Sequence, residues 1–185
     1  MTSALQPALA ATVVVLRDNA AGAPEVLLLQ RNPSLVFFGG HWVFPGGRVD
    51  AGDWRGAPNS EQPGEMALAA EAAAIREAQE EAGLALQAGR LHYIAHWVTP
   101  PGPPRRFDTW FFITELSDSR PVVIDDAEII DFQWQTAANA LELHASGDLP
   151  LPPPTFFTLE SLKGFSSVKD IMAWAKQQQP EPLIG

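Results

Sequence analysis

The segment REAQEEAGL, Arg76 to Leu84, constrains this chain more than any other. Helical periodicity runs from Met66 to Ala82, with Leu68, Ala72, Ile75 and Gln79 sharing one face and Gly83 standing where a C-cap ends a helix. Within it Glu77, Glu80 and Glu81 are spaced i, i+3 and i+4, so their carboxylates project from one face within about one turn. That is locally unfavourable: like-charged neighbours repel, and a helix C-terminus already carries about half a negative charge. A sequence shaped only for helix stability would place Lys or Arg here, so three stacked acids point to a positive charge among them. A hard divalent cation is the simplest occupant, and oxygen ligands with no nearby Cys or His favour Mg²⁺ or Mn²⁺ over zinc. Arg76 can orient one carboxylate by a forked pair of hydrogen bonds. The competing reading is a solvated acidic face. Against it stands the fixed order Arg-Glu-x-x-Glu-Glu-x-Gly, which chance produces in on the order of one chain in ten thousand of this length.

Short β-branched and aromatic runs suit strands at Thr12–Leu16, Val26–Gln30, Leu91–Val98, Thr109–Thr114 and Ile129–Trp134, in a mixed or antiparallel sheet. Further helices are expected over Thr136–Ser146, with Thr136 as N-cap and Gly147 as stop, over Thr155–Leu162, and over Val168–Gln178. Gly- and Pro-rich loops fall at Asp50–Gly64 and Thr99–Arg106, and LPLPPP before Thr155 reads as an extended surface connector. A length of 185 residues with 46% hydrophobic content fits one domain over 1–185. A net charge of −10, with only 12 basic residues spread along the chain, argues against a nucleic-acid partner. No run reaches the ~20 apolar residues of a membrane span and the N-terminus lacks a secretory pattern, so a cytoplasmic location is expected. With no cysteine, thiol catalysis is excluded. His41, His92, His96 and His144 show no metal-ligand spacing.

Upstream, HWVFPGGRVDAGD, His41 to Asp53, sets Pro45, Gly46 and Gly47 after a strand-like pair. Adjacent glycines allow a sharp turn and close approach of a backbone group to a ligand. Taken with REAQEEAGL, the pattern resembles the Nudix box, which is Gly, five residues, Glu, seven residues, then Arg-Glu-U-x-Glu-Glu-x-Gly-U with U bulky and apolar. Gly47, Arg76, Glu77, Glu80, Glu81, Gly83 and Leu84 match. Asp53 stands where the pattern has Glu, Ala78 is small for the first U, and Trp54 to Ile75 replaces the seven-residue spacer, so the box is split by an insertion around 54–65. The early acid's partnership with the arginine falls to Asp53, Glu65 or Glu71.

The resemblance implies an α/β fold of the Nudix type, a mixed sheet sandwiched between helices with the box as loop-helix-loop, and a Pro-rich connector with a helical tail over 148–185. It implies that Glu77, Glu80, Glu81 and the carbonyl of Gly46 hold Mg²⁺ or Mn²⁺ against a substrate diphosphate. Glu77, Glu80 and Arg76 are then the catalytic residues, with Glu77 or Glu80 as base. In this family the base also comes from distal loops, and Asp125, Asp126 and Glu128 form one such acidic loop, with a solvated turn as the alternative.

LLLQRNPSLVFFGGHWVFPGG, Leu27 to Gly47, is similar to the coenzyme A-associated motif found before some Nudix boxes, with Leu27, Leu28, Arg31, Gly40, Phe44, Pro45, Gly46 and Gly47 matching and Val36 in place of its second arginine. AIREAQEEAGL, HWVTP with RRFDTWFF, and LPPPTFFTL resemble the acyl-coenzyme A diphosphatase branch, which also has a split box. Coenzyme A or acyl-coenzyme A is then the implied substrate, with Arg31, Gly47, Arg105 and Arg106 binding it. For Arg105 and Arg106 a plain surface role is the alternative. ADP-ribose or another nucleotide sugar is the competing substrate, Pro100 falling sixteen residues beyond Leu84 as a marker proline does in some such enzymes. Among the aromatics, Trp97, Phe107, Trp110, Phe111 and Phe112 include possible base-stacking residues or plain core. A nucleotide-binding module without catalysis is the alternative from another class.

Overall fold

The computed structural model describes residues 6–56, 58–102, 105–116 and 121–184. Residues 1–5, on which the reading of the N-terminus drew, lie outside that set, as do Ala57 of the expected insertion, Pro103 and Pro104 of the expected proline loop, and Gly185.

Strands β1 (Ala8–Asp18) and β2 (Pro24–Arg31) are joined by a turn in which the Asn19 side chain accepts from the amides of Ala21 and Ala23. They pair antiparallel only near that turn, Leu16 opposite Val26, and then part. Into the gap run two short strands, β3 (Trp42–Val43) on β2 and β4 (Gly46–Arg48) on β1. A 3₁₀ turn at Ala51–Asp53 leads towards α1 (Pro63–Ala82). β5 (His92–Val98), β6 (Phe107–Glu115) and β7 (Ile129–Gln135) follow, then α2 (Ala137–Ser146), α3 (Pro153–Leu162), α4 (Val168–Ala175) and β8 (Leu183–Ile184). β6 lies parallel to β1 and antiparallel to β5, β7 is antiparallel to β2, and β8 is parallel to β5. The sheet is therefore mixed.

Alternate residues of β1 feed two cores. Val14 and Leu16 pack with residues of α2, α3 and α4 on one face, while Ala11, Val13 and Val15 pack under α1 on the other. This is the expected helix-sheet-helix sandwich. On α1 the packed face differs from the expected one: Leu68 is exposed, and Ala70, Ala73, Ala74, Ala78 and Ala82 are fully buried. Only small side chains let the helix lie that close to β1, so the buried face is marked by alanines and escapes a search for large apolar residues. Ala78, a departure from the box pattern, belongs to this contact. Gly83 at φ +69° closes the helix, its amide and that of Leu84 donating to Gln79 and Ala78 carbonyls.

Thr136 and Gly147 cap α2 as expected, the Thr136 hydroxyl accepting from the Asn139 amide. α4 stops at Ala175, short of Gln178. The proline segment is not a free connector. Leu149 and Leu151 are buried, the Pro150 carbonyl accepts from the Trp42 amide, and Pro153 and Pro154 form the first turn of α3, where the fixed φ of proline suits a helix start. Among the described residues no helix is long and apolar enough to cross a membrane.

Candidate active site

The residues between Asp53 and Arg76, where the resemblance implies an insertion, divide between a connection over 54–62 and the N-terminal turns of α1. The C-terminal turns of α1 lie against β4, Glu77 beside Gly47 and Glu81 on the Gly46 amide. Arg76 is the hub of the site. Its Nε and Nη2 donate to Asp53 Oδ1 and Oδ2 at 3.1 and 3.0 Å, a forked pair across the insertion. Nη1 donates to Glu77 Oε1 at 2.8 Å and Glu80 Oε2 at 3.0 Å, and Nη2 also reaches the Arg48 carbonyl at 2.9 Å. Asp53 is therefore the early acid. It is buried and also accepts from the Asp50 amide, whereas Glu71 accepts from the distant Gly89 amide and Glu65 lies near Gly56. The positive charge expected among the helix-end acids is present in the chain itself, as the Arg76 guanidinium.

Gly46 and Gly47 lie in a paired strand with negative φ rather than in a sharp turn, and are glycines because of close approach. A Cβ on Gly46 would fall 2.4 Å from the Ala11 carbonyl oxygen, and one on Gly47 would fall 2.3 Å from Glu77 Oε1. Position 46 is anchored further by Pro45, whose carbonyl accepts from the Val13 amide at 2.9 Å and the Thr12 hydroxyl at 2.7 Å. The Gly46 amide donates to Glu81 Oε2 at 2.9 Å, and Arg31 Nη1 lies 4.0 Å from Glu81 Oε1. Burial pushes the Glu81 carboxyl up to about 8, against the opposing pull of the Gly46 amide. Glu77 is also raised above its ordinary value by burial, although Arg76 opposes the shift.

These groups open into a cleft of about 760 Å³ lined by Arg31, Gly46, Gly47, Arg76, Glu77, Glu80, Glu81 and Arg105. Arg106 does not line it, since its Nε donates to the Thr99 carbonyl at the base of the 99–106 loop. Of the acidic loop, Asp125 and Glu128 reach the cleft. Asp125 is committed to the loop. Partial burial alone would raise it, but the amides of Glu128, Ile129 and Ala127 outweigh that and hold it below its ordinary value. Glu128 is exposed, with one oxygen 4.0 Å from Arg31 Nη2. Phe107 and Phe111 line the cleft among the aromatics of that region, while Trp97, Trp110 and Phe112 pack elsewhere. Phe37, Phe38, Pro152 and Pro154 also line it, and sequence patterning gave them no role.

Carboxylate oxygens crowded into a half-buried site suit a hard cation. Among the described residues no three acidic or histidine side chains already converge on one cation position, because Glu77 and Glu80 close on Arg76 and Glu81 closes on the Gly46 amide. A cation must compete with Arg76 for the first two.

A model of the NUDIX domain matches residues 6–153. Acyl-coenzyme A diphosphatase NUDT19 of Homo sapiens is 40% identical over 83 residues, which make up 44% of this chain and 22% of that protein. Putative nudix hydrolase 7 of Caenorhabditis elegans is 25% identical over 173 residues, 79% of this chain and 57% of that protein. The crystal structure of a NUDIX hydrolase from Alicyclobacillus acidocaldarius superposes with a TM-score of 0.78 at 27% identity, covering 91% of this chain and 96% of that one.

Proposed function

This chain belongs to the NUDIX domain family, and from that premise we propose that it hydrolyses the diphosphate bond of coenzyme A or an acyl-coenzyme A with the help of a divalent metal. The observation that carries the proposal is the gathering of Glu77, Glu80 and Glu81 around Arg76 and the Gly46–Gly47 strand, inside a cleft of nucleotide size. The activity in the name of the human relative supports the substrate class.

In this reading Glu77, Glu80, Glu81 and the Gly46 carbonyl hold Mg²⁺ or Mn²⁺, members of the family generally using a divalent metal. With Glu77 and Glu80 on such an ion, Arg76 would still be held by Asp53 and the Arg48 carbonyl. When bound, the metal supplies charge neutralisation on the diphosphate oxygens and lowers the pKa of the attacking water. Glu77 or Glu80 accepts the proton of the attacking water, with Glu128, which also lines the cleft, as a third candidate group. The water oxygen bonds to one phosphorus as the bridging P–O bond breaks, and the bridging oxygen leaves with the electron pair on the departing phosphate. The products are phosphopantetheine, acylated where the substrate was, and adenosine bisphosphate. Arg31 and Arg105 pair with substrate phosphates, Gly47 leaves room for the Glu77 carboxylate that faces them, and Arg106 holds the loop that carries Arg105. A cytoplasmic setting and a single domain over 1–185 belong to the same proposal.

Product analysis on coenzyme A, an acyl-coenzyme A and ADP-ribose with Mg²⁺ or Mn²⁺ tests it. Adenosine bisphosphate released from either coenzyme A compound supports the reading. Cleavage of ADP-ribose alone reassigns the substrate, and nucleotide binding without turnover makes the chain a binding module.

A further inference from the structure

We propose that the loop from Asn32 to His41 selects for an acylated substrate, with Val36, Phe37, Phe107, Pro152 and Pro154 forming a wall on which the acyl chain lies. The inference rests on the diphosphatase reading and specifies which end of the substrate the apolar half of the cleft receives.

Four consecutive apolar residues, Leu35 to Phe38, all line the cleft instead of turning into the core. Val36 is 93% exposed. Apolar side chains in this number, rimmed by Arg31, Ser34 and Arg105, mark a surface that gains by being covered. The loop is built to keep them there. At its base the Arg31 amide donates to the His41 carbonyl and the Gly40 amide donates back to the Arg31 carbonyl, both at 3.0 Å. Arg31 Nε donates to the Phe37 carbonyl at 3.2 Å, and the Asn32 side chain accepts from the Ser34 amide and hydroxyl. Gly39 is packed so tightly that a Cβ there would meet the Leu35 carbonyl oxygen at 2.5 Å. Phe38 holds φ +52°, a left-handed conformation that costs a bulky residue free energy and persists only where the surroundings enforce it. Opposite, the Phe37 ring meets that of Phe107 with centroids 5.0 Å apart. Pro152 and Pro154 are fixed at the start of α3, so this wall is rigid as well.

The wall belongs to the same cleft as Glu77, Glu80 and Glu81, so in a substrate with its diphosphate at the acids the pantetheine spacer, folded back along the cleft, brings the acyl chain onto it. Beyond the face of a base, ADP-ribose and nucleotide sugars are polar along their length and do not offer this surface an apolar arm. An acyl thioester does.

The test is kcat/KM of the whole chain, with Mn²⁺, for free coenzyme A and for saturated acyl-coenzyme A substrates of increasing chain length. The expected result is a rise of roughly twofold per added methylene until the wall is covered, because one-sided contact removes about half of a methylene's surface from water. Val36→Asp, at a position too exposed to endanger folding, should cut the ratio of acylated to free substrate by at least about fivefold. Equal kcat/KM for free and acylated substrates, or a ratio unmoved by Val36→Asp, overturns the inference while leaving the diphosphatase reading intact. No release of adenosine bisphosphate from any coenzyme A compound overturns that reading and this inference with it.

Discussion

The Glu77 carboxylate occupies the space that a side chain on Gly47 would need: a Cβ there would lie 2.3 Å from Oε1 and 2.5 Å from Cδ. The Glu77 carboxylate can sit against strand β4 only because residue 47 has no side chain, and this fixes where Glu77 presents its charge. Gly47→Ala is expected to drive Glu77 out of position and lower kcat by about 100-fold, as displacements near 1 Å in a catalytic group do. Steady-state kinetics beside a thermal melt checks this, a large kinetic loss with a folded protein being the expected pair.

Arg76 and Asp53 are expected to act as a unit. Lysine at 76 keeps the charge but cannot make the fork to both Asp53 oxygens while bridging Glu77 and Glu80. Arg76→Lys and Asp53→Asn should therefore be non-additive in unfolding free energy, with a coupling of about 1 kcal/mol. A double-mutant cycle by denaturant unfolding measures it, and additive effects would show that the fork is not energetically important.

Glu81 sets a pH dependence for the metal-free protein. Its folded value lies near 8, above the ordinary carboxyl value of 4.5, so the folded state binds more protons than the unfolded chain across that interval. Stability contributed by the protonated form is complete at low pH and is lost as pH rises from about 4.5 towards 8. Melts in chelator across this range should show Glu81→Gln flattening the decline relative to wild type. An identical slope in both proteins would place the cause elsewhere.

The alanine face of α1 gives a prediction about packing. Ala73 and Ala74 are fully buried against the sheet, so Ala73→Leu should overpack the contact and cost about 1–3 kcal/mol. Because the same helix carries Arg76, Glu77, Glu80 and Glu81, activity should fall more than the lost stability explains. Comparing kcat with the fraction folded at the assay temperature separates the two effects.

How far the sequence could be read depended on the kind of signal. The acid triplet was legible because its cost in an isolated helix demands a compensating charge, and Gly83 and Thr136 were legible because caps carry local chemistry. What compensates the acids was legible in part: a fork from Arg76 to one carboxylate was expected, but its choice of Asp53 over Glu65 and Glu71 depends on long-range folding between Asp53 and α1. The face of α1 was misread because alanine periodicity looks like helix propensity, and β3 and β4 are too short for a pattern of their own. Pro152 and Pro154 enter the cleft through the pairing of Pro150 with Trp42, a contact between residues far apart in the chain.

The account as a whole depends on a divalent cation drawing the helix-end carboxylates away from Arg76. Calorimetric titration of Mn²⁺ into the metal-free protein, wild type beside the double variant Glu77→Gln and Glu81→Gln, tests this directly. Saturable binding by the wild type, abolished in a folded double variant, is the predicted result. No binding by the wild type even with coenzyme A present, or equal binding by both proteins, would contradict it.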